Sequence, residues 1–259
     1  MDVEINDVVI TLDTDWAPDF AIRKTADILI ENQVKATWFL THDSKAIRTL
    51  FEHRDLFELG IHPNFMPGST QGDSYNDIMN YLMNIVPKAK AVRTHAMFYS
   101  ASLSRMFAFD YGLETDSSIF LAEMPHITPY EVFYGDKKLI RMPYFWSDDG
   151  EMSIMQSPSF EFNIKKYERP GLKILDFHPI HVFLNSENIG NYSLLKTKVD
   201  FKDCTAESIK SFIHHGNGAG SLLREIIKNN PNPERFRTIA EIADEWKFLS
   251  HKIVNNSQL

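Results

Sequence analysis

The sequence predicts an α/β protein in which parallel strands are covered on the outside by helices. Three observations lead there: short apolar runs rich in β-branched residues, helical spacing after each run, and four successive repeats of that pairing between Val8 and Phe109. The first strand is Val8-Val9-Ile10-Thr11-Leu12-Asp13, closing on Asp13-Thr14-Asp15-Trp16. Pro18-Asp19 then opens a helix whose Phe20, Ile22, Ala26, Leu29 and Ile30 share one face. Ala36-Thr37-Trp38-Phe39-Leu40 makes the second strand, finishing at His42, with helical spacing from Ser44 to His53. The third, Phe57-Glu58-Leu59-Gly60-Ile61, ends at His62 and leads through a Pro- and Gly-bearing loop to a helix from Tyr75 to Val86. Ala91-Val92-Arg93-Thr94-His95 is the fourth, followed by a helix from Ser102 to Phe109. Val132-Phe133-Tyr134 and Leu139-Ile140-Arg141-Met142 flank Gly135-Asp136-Lys137-Lys138 and predict an inserted hairpin. The last strand runs from Leu172 to Phe177 and ends at His178; beyond Thr205 the spacing predicts helices over Ser208–His215, Ser221–Lys228 and Phe236–Phe248. No linker, repeat or low-complexity tract divides residues 1–259, which are read as one domain. Periodicity does not decide whether the sheet closes into a barrel.

A chain of 259 residues, 43% apolar and 24% charged, is ordinary for a globular protein and long enough to bury a core without covalent staples. Its 35 acidic and 27 basic residues leave a net charge of −8, which argues against nucleic acid or anionic lipid as the main partner. Cys204 is the only cysteine, so no internal disulfide is expected. Met1 to Asp7 carries neither a basic region nor an apolar stretch, and no run approaches the ~18 apolar residues of a membrane span. A cytoplasmic location is the expectation.

Several of the ten histidines fall where an apolar run ends. In a parallel α/β sheet or barrel, the C-terminal strand ends share one face, and the loops there carry the chemistry. That face would collect Asp13, Asp15, His42, His62, Arg93, His95 and His178. Asp13 and Asp15 are two apart, so in extended chain they point to the same side, where one can bind a cation and the other accept a proton. Imidazole with carboxylate is an ordinary ligand set for zinc and its neighbours. Each residue alone has a plainer use, as a helix cap or a hydrogen-bonded core group, and their joint occurrence is what points to a metal hydrolase.

At these residues the sequence resembles the polysaccharide deacetylases of the NodB-homology group, carbohydrate esterase family four. Thr11-Leu12-Asp13-Thr14-Asp15-Trp16 is similar to the family's opening Asp-Asp motif in spaced form, and Ala36-Thr37-Trp38-Phe39-Leu40 to the strand that follows it. Glu58-Leu59-Gly60-Ile61-His62 resembles the start of the metal-binding histidine motif. Arg93-Thr94-His95 and Thr115-Asp116-Ser117-Ser118 resemble the third and fourth motifs, and Phe177-His178-Pro179 the catalytic-histidine motif. The similarity runs from about Val8 to His181. It implies an irregular (β/α)7 barrel, here with a hairpin insertion and C-terminal helices, and metal-assisted hydrolysis of an acetyl group on a sugar. By the resemblance, Asp13 would be the general base, paired with Arg93. Asp15 and His62 would hold a divalent metal, zinc foremost. His178 would be the general acid, oriented by Asp116, and a backbone N–H near Ala96 would complete an oxyanion site.

Two departures from the family pattern stand out. The second metal histidine is expected four residues after His62, where this chain has Met66, and the third motif carries His95 in place of a proline. His95 is the expected replacement ligand, with His42 next and Asn64 a poorer candidate. His181 lies three residues past His178 and is read as a loop hydrogen-bonder. Arg141-Met142-Pro143-Tyr144-Phe145-Trp146-Ser147-Asp148-Asp149 offers aromatic faces and acids that suit either a sugar-binding wall or a packed cluster. His214-His215-Gly216-Asn217-Gly218-Ala219-Gly220 enters a helix as phosphate loops do, but lacks a nucleotide signature and reads first as a flexible loop. The expected activity is sugar N-deacetylation in surface-polysaccharide (O-antigen) biosynthesis, on a small-molecule, nucleotide-linked or lipid-linked sugar. A glycosidase and a catalytically silent carbohydrate-binding protein are the competing readings. Paired carboxylates across a glycosidic bond would serve the first, whereas a base, an arginine and an acid together are superfluous in the second.

Overall fold

The structure, a computed structural model, describes residues 7–153, 160, 163–201, 203–230 and 232–256; Met1–Asn6, read above for charge and hydropathy alone, lie outside the described residues. The chain begins β1 (Val8–Asp13), α1 (Asp19–Glu31), β2 (Ala36–Leu40), α2 (Lys45–Leu50), β3 (Phe57–Ile61), α3 (Tyr75–Ile85), β4 (Ala91–Val92), α4 (Ala101–Phe109) and β5 (Thr115–Asp116). There follow the hairpin β6 (Tyr130–Tyr134) and β7 (Lys137–Arg141), then β8 (Trp146–Ser147), α5 (Asp148–Ser153), α6 (Ile164–Tyr167) and β9 (Lys173–Phe177). Among the described residues, six further helices or turns of helix follow β9, including α7 (Pro179–Leu184), α8 (Ile189–Lys198), α9 (Ala219–Asn229) and α10 (Ile239–Asn256). Among the described residues, no helix is long and apolar enough to cross a membrane.

The sheet order is β6-β7-β5-β4-β3-β2-β1-β9-β8, and every pairing is parallel except the β6–β7 hairpin. Parallel strands covered on both faces need apolar residues in continuous runs. β1 and β2 supply them, with Val9, Ile10, Leu12, Ala36, Trp38, Phe39 and Leu40 fully buried. The ring closes through the chain itself, because the run from Lys137 to Ser147 pairs with β5 at its start and with β9 at its end. Ile140 N and Met142 N donate to Glu114 O and Asp116 O, and Phe145 N donates to Ile174 O. This is the irregular barrel that the family resemblance implied.

Local rules explain most helix starts. Ser44, Ser74 and Ser100 accept from the third helical N–H of α2, α3 and α4, and Asp77 completes a capping box with Ser74. Gly60 lets β3 approach β4, since a Cβ there would lie 2.7 Å from Ala91 O. The glycines at the start of α9 serve close packing rather than flexibility or phosphate. A Cβ on Gly218 would lie 2.0 Å from Asn185 O, one on Gly220 2.4 Å from Val182 O, and Asn185 Oδ1 already accepts Ser221 N at 2.8 Å.

Besides the short β5, β8, α5 and α6, which the pattern did not mark, the elements differ from expectation in three places. Regular strand pairing in β4 covers only Ala91–Val92, and His95–Met97 forms a tight turn with Ala96 and Met97 at φ 54°. The helix expected over Ser208–His215 is a single 3₁₀ turn at Lys210–Phe212, because Thr205 and Ser208 bond each other's backbone and side chains and compete with helical pairing. Conversely, α7 and α8 form where no helix was read, α7 with proline at its first position and α8 capped by Asn188 Oδ1.

Candidate active site

β1 delivers Asp13 to the C-terminal end of the barrel, where it lines a cavity of about 290 Å³ together with Asp15, His62, Arg93, His95 and His178. A larger cavity of about 530 Å³ opens near Asp7, Val8 and Lys173, at the starts of β1 and β9, and none of the candidate residues lines it.

Arg93 organises the floor of the site. Its guanidinium lies 4.5 Å from the Phe39 ring centre and 4.7 Å from that of Tyr144. Nη1 donates to Asp13 Oδ1 at 3.0 Å, Thr11 Oγ1 at 2.8 Å and Asp176 Oδ1 at 2.5 Å, while Nε and Nη2 donate to Ser117 O and Oγ. Burial opposes its charge, but the Asp13 and Asp176 carboxylates outweigh that and hold it more firmly protonated. The β1–β9 register sets Thr11 opposite Asp176, so that both groups meet Arg93 inside the barrel. Asp176 is a part of the site the sequence reading missed. Its burial pushes its carboxyl well above the usual range, against the pull of Arg93.

Asp15 is turned into the cavity by backbone in the left-handed region, with φ 40° at Asp15 and 54° at Trp16. Such residues cost about 1–3 kcal/mol each, and the surroundings must hold them. Thr14 and Thr41 do so: Thr14 N donates to Phe39 O, Trp16 N donates to Thr41 Oγ1, and the two hydroxyls lie 3.0 Å apart. The second strained turn, at Ala96 and Met97, follows His95, whose N–H is fixed on Pro63 O at 3.0 Å.

Between these turns three ligand-type atoms form a nearly equilateral triangle. Asp15 Oδ1 lies 3.2 Å from His62 Nε2 and 3.1 Å from His95 Nδ1, and the two nitrogens are 3.4 Å apart. Metal–ligand bonds of about 2.0–2.1 Å in a tetrahedral shell put neighbouring ligand atoms about 3.3–3.4 Å apart, so this donor set fits a divalent cation such as zinc. Burial works against the Asp15 charge, yet hydrogen bonds from His62 and His95 hold its carboxyl well below the usual range. The other nitrogen of His62, Nδ1, is buried and has no hydrogen-bond partner among the described residues, so its polar contacts there are all on the cavity side.

The remaining candidates for the third ligand lie elsewhere. His42 Nδ1 is 2.9 Å from Thr41 Oγ1, and Asn64 Oδ1 accepts Met66 N at 3.0 Å; both residues line a neighbouring pocket. Met66, at the place of the absent histidine, is 42% exposed.

His178 stands across the cavity, at the N-cap position of α7, with Nε2 3.5 Å from Asp15 Oδ2. Asp148 accepts from its backbone N–H at 2.9 Å and holds Nδ1 at 2.6 Å. Burial disfavours the imidazolium, but Asp148 and Asp149 overcome this and raise its pKa well above that of an ordinary histidine. The expectation that Asp116 orients His178 is thus corrected. The β5–β7 register sets Asp116 opposite Arg141, and its carboxylate is taken up by that guanidinium and by Ser118 N. The β8–β9 register instead brings Ser147 opposite Asp176 and places Asp148 beside His178. The signal for Asp148 was visible as an acid closing an aromatic strand, but its partner lies 30 residues away in sequence.

His181 is buried, bonded through Nδ1 to Ser186 Oγ at 3.0 Å, and its pKa is lowered by burial. The aromatic segment divides in two: Tyr144 lines the cavity, stacked on Phe120, whereas Phe145 and Trp146 belong to the core, with Trp146 Nε1 donating to Glu151. Phe120, Ser147, Asp149 and Gly150 complete that side of the cavity, and Thr94, Ala96 and Met97 the other.

Comparison with known proteins gives this arrangement its context. Among curated proteins, no sequence matches the chain significantly. Among solved structures, the chain is similar to a protein assigned as a polysaccharide deacetylase of O-antigen biosynthesis, WbmS from Bordetella bronchiseptica. The TM-score is 0.75 at 28% identity, covering 86% of this chain and 90% of that one. It also shares its fold with a variant of the peptidoglycan deacetylase PdaC from Bacillus subtilis, with a TM-score of 0.50 at 11% identity over 97% of this chain and 96% of that one. A family model described as WbmS-like polysaccharide deacetylase matches residues 10–196, well over half of the sequence. The chain therefore belongs to the WbmS-like polysaccharide deacetylase family.

Proposed function

We propose that the protein is a metal-dependent hydrolase that removes the acetyl group from an N-acetylated sugar in the assembly of a surface polysaccharide. The observation that carries the reading is the Asp15–His62–His95 triangle, flanked by an arginine-held carboxylate and an aspartate-held imidazole. Asp15, His62 and His95 hold the cation, most simply zinc. Bound there, it supplies a Lewis acid for the acetyl carbonyl and lowers the pKa of water.

The chain's own groups do the rest. Arg93 engages Asp13 through Oδ1, leaving Oδ2, 3.5 Å from His62 Nε2, to take a proton from the attacking water. His178, held by Asp148 through Nδ1, presents Nε2 to the cavity and donates a proton to the departing amine. Tyr144 and Phe120 offer aromatic faces to the sugar ring. The likeness to the Bordetella protein supports an O-antigen precursor as substrate, and the single cysteine suits reaction in the cytoplasm.

Elemental analysis together with acetate release from N-acetylated sugars tests the proposal. The wild type is expected to hold one divalent ion per chain and release acetate with glycosidic bonds intact; Asp15→Ala, His62→Ala and His95→Ala should lose both properties. Equal metal content in all four proteins would overturn the ligand assignment. Released reducing sugar without acetate would favour a glycosidase.

A further inference from the structure

Asp149 lines the cavity of the metal-ligand triangle but has no part in the proposed reaction. It follows Asp148 directly, its backbone N–H donating to Asp148 Oδ1 at 2.8 Å, and the two carboxylates then diverge. Asp148 turns under the imidazole and commits both oxygens to His178, whereas Asp149 stays at the cavity wall. The Ser147 hydroxyl donates to Asp149 Oδ1 and fixes the carboxylate there. Oδ2 has no hydrogen-bond or ion-pair partner among the described residues. Burial works against the Asp149 charge, but His178 and the Ser147 hydroxyl outweigh it and hold the carboxyl below the usual range. An ionised carboxylate can only accept hydrogen bonds, so the wall beside His178 presents one open acceptor.

An oxygen of Asp149, one of Asp148 and a ring nitrogen of His178 all lie within 4.8 Å of one another. Asp149 and His178 are therefore close enough to meet on one substrate atom, since partners each about 2.9 Å from a tetrahedral nitrogen stand about 4.7 Å apart. Such a nitrogen arises in amide hydrolysis. As the water oxygen bonds the acetyl carbon, one water proton passes to Asp13, and the amide nitrogen becomes tetrahedral, with one N–H and one lone pair. The lone pair takes the proton of His178 Nε2. The C–N bond then breaks with its electron pair on nitrogen, leaving the amine, acetic acid and one proton moved from His178 to Asp13. The step requires the lone pair, not the N–H, to face His178. An acceptor beside His178 that holds the N–H enforces that orientation.

We infer that Asp149 Oδ2 accepts the N–H of the substrate's acetamido group and makes the site selective for N-acetyl over O-acetyl groups. An acetyl ester has no N–H and sets oxygen lone pairs against the carboxylate. Asp149 is then a specificity-determining residue in contact with substrate, unlike Asp148, which acts through His178. The inference deepens the deacetylase reading and rests on it.

Acetate release from three matched substrates tests this: the methyl glycosides of N-acetylglucosamine, of N-acetyl-N-methylglucosamine and of 2-O-acetylglucose, with the same set in the galacto series. All three leaving atoms need the proton of His178, so a change in its acidity alters them together and cancels in their ratios. A hydrogen bond to a charged group is worth about 10–100-fold. Asp149→Ala should lower the kcat/KM ratio of N-acetyl to O-acetyl substrate by about that factor, and the discrimination against the N-methyl amide should fall with it. Asp149→Asn keeps the shape and a neutral acceptor, which guards against a folding defect in the alanine variant, and its ratios should fall in between. Both variants should keep the metal content of wild type, because Asp149 stands outside the Asp15–His62–His95 triangle. Ratios within threefold of wild type in both variants, including a parallel fall for all three substrates, would overturn the inference. So would a wild type that hydrolyses the N-methyl amide as fast as its parent, or the ester alone. No acetate from any substrate would instead remove the deacetylase reading on which the inference stands.

Discussion

Asp148 makes two bonds to one residue, accepting the His178 backbone N–H with one oxygen and holding Nδ1 with the other. Both oxygens are thereby committed, and the ring is fixed in position and in the tautomer that leaves Nε2 for the cavity. Asp148 is thus a positioning residue in the proposed reaction. Asparagine in its place keeps the shape but replaces one acceptor with a donor and removes the charge that favours imidazolium. Asp148→Asn should lower kcat by about 10²–10⁴-fold with KM little changed and metal content intact. Steady-state kinetics beside elemental analysis checks this, and a variant within threefold of wild type would reassign the orienting role. Asp116 gives the contrast, because its partners are Arg141 and Ser118. The two aspartates could not be sorted from sequence, since one ends and the other directly follows a two-residue β segment, and only the registers of β5 and β8 separate them. Asp13, Asp15, His62 and His178 were legible for the opposite reason: each follows an apolar run long enough to fix where the strand stops.

At the scale of elements, strands of five or six residues were readable, while β5 and β8, with two residues each, leave no periodic trace. The turn at Ala96 and Met97 was equally hidden, because it places non-glycine residues at positive φ against local preference. One contact between elements yields a pH prediction. Glu58 of β3 lies beneath the start of α10, where Oε2 accepts Thr37 Oγ1 at 2.8 Å and Ala240 N at 2.9 Å. Burial raises its carboxyl above the usual value, outweighing those two hydrogen bonds. The native state therefore binds this proton more tightly than the unfolded chain. The associated stability is fully present below the unfolded value of about 4.3 and is lost as pH rises through the folded one. Glu58→Gln keeps an accepting oxygen and cannot ionise. The difference in urea midpoint between variant and wild type should move in the variant's favour between pH 4 and pH 7. A difference that stays constant with pH would show that Glu58 does not titrate on folding in this range.

For the whole molecule, the decisive segment is the one that closes the ring. The run from Lys137 to Ser147 leaves β5 and arrives at β9, and a buried charged group stands near each end. At the far end Asp148 reaches His178, and at the near end Arg141 joins β7 to β5 through Asp116 and to α4 through Ser104. Arg141 is 1% exposed, and Tyr99 covers its guanidinium at 4.6 Å. Removing it would strand Asp116, whose carboxyl burial already pushes up against the pull of Arg141. A buried pair broken on one side costs about 3–5 kcal/mol, whereas replacing both partners with apolar residues of similar volume is often neutral. Arg141→Ala should therefore lose about 3–5 kcal/mol in urea unfolding, and the double variant Arg141→Met with Asp116→Leu should recover most of it. Metal content in the double variant should match wild type, because neither residue touches the Asp15–His62–His95 triangle. A loss below about 1 kcal/mol for Arg141→Ala would mean that water reaches the pair as it reaches a surface one. The closing run would then be held by its backbone bonds to β5 and β9 alone.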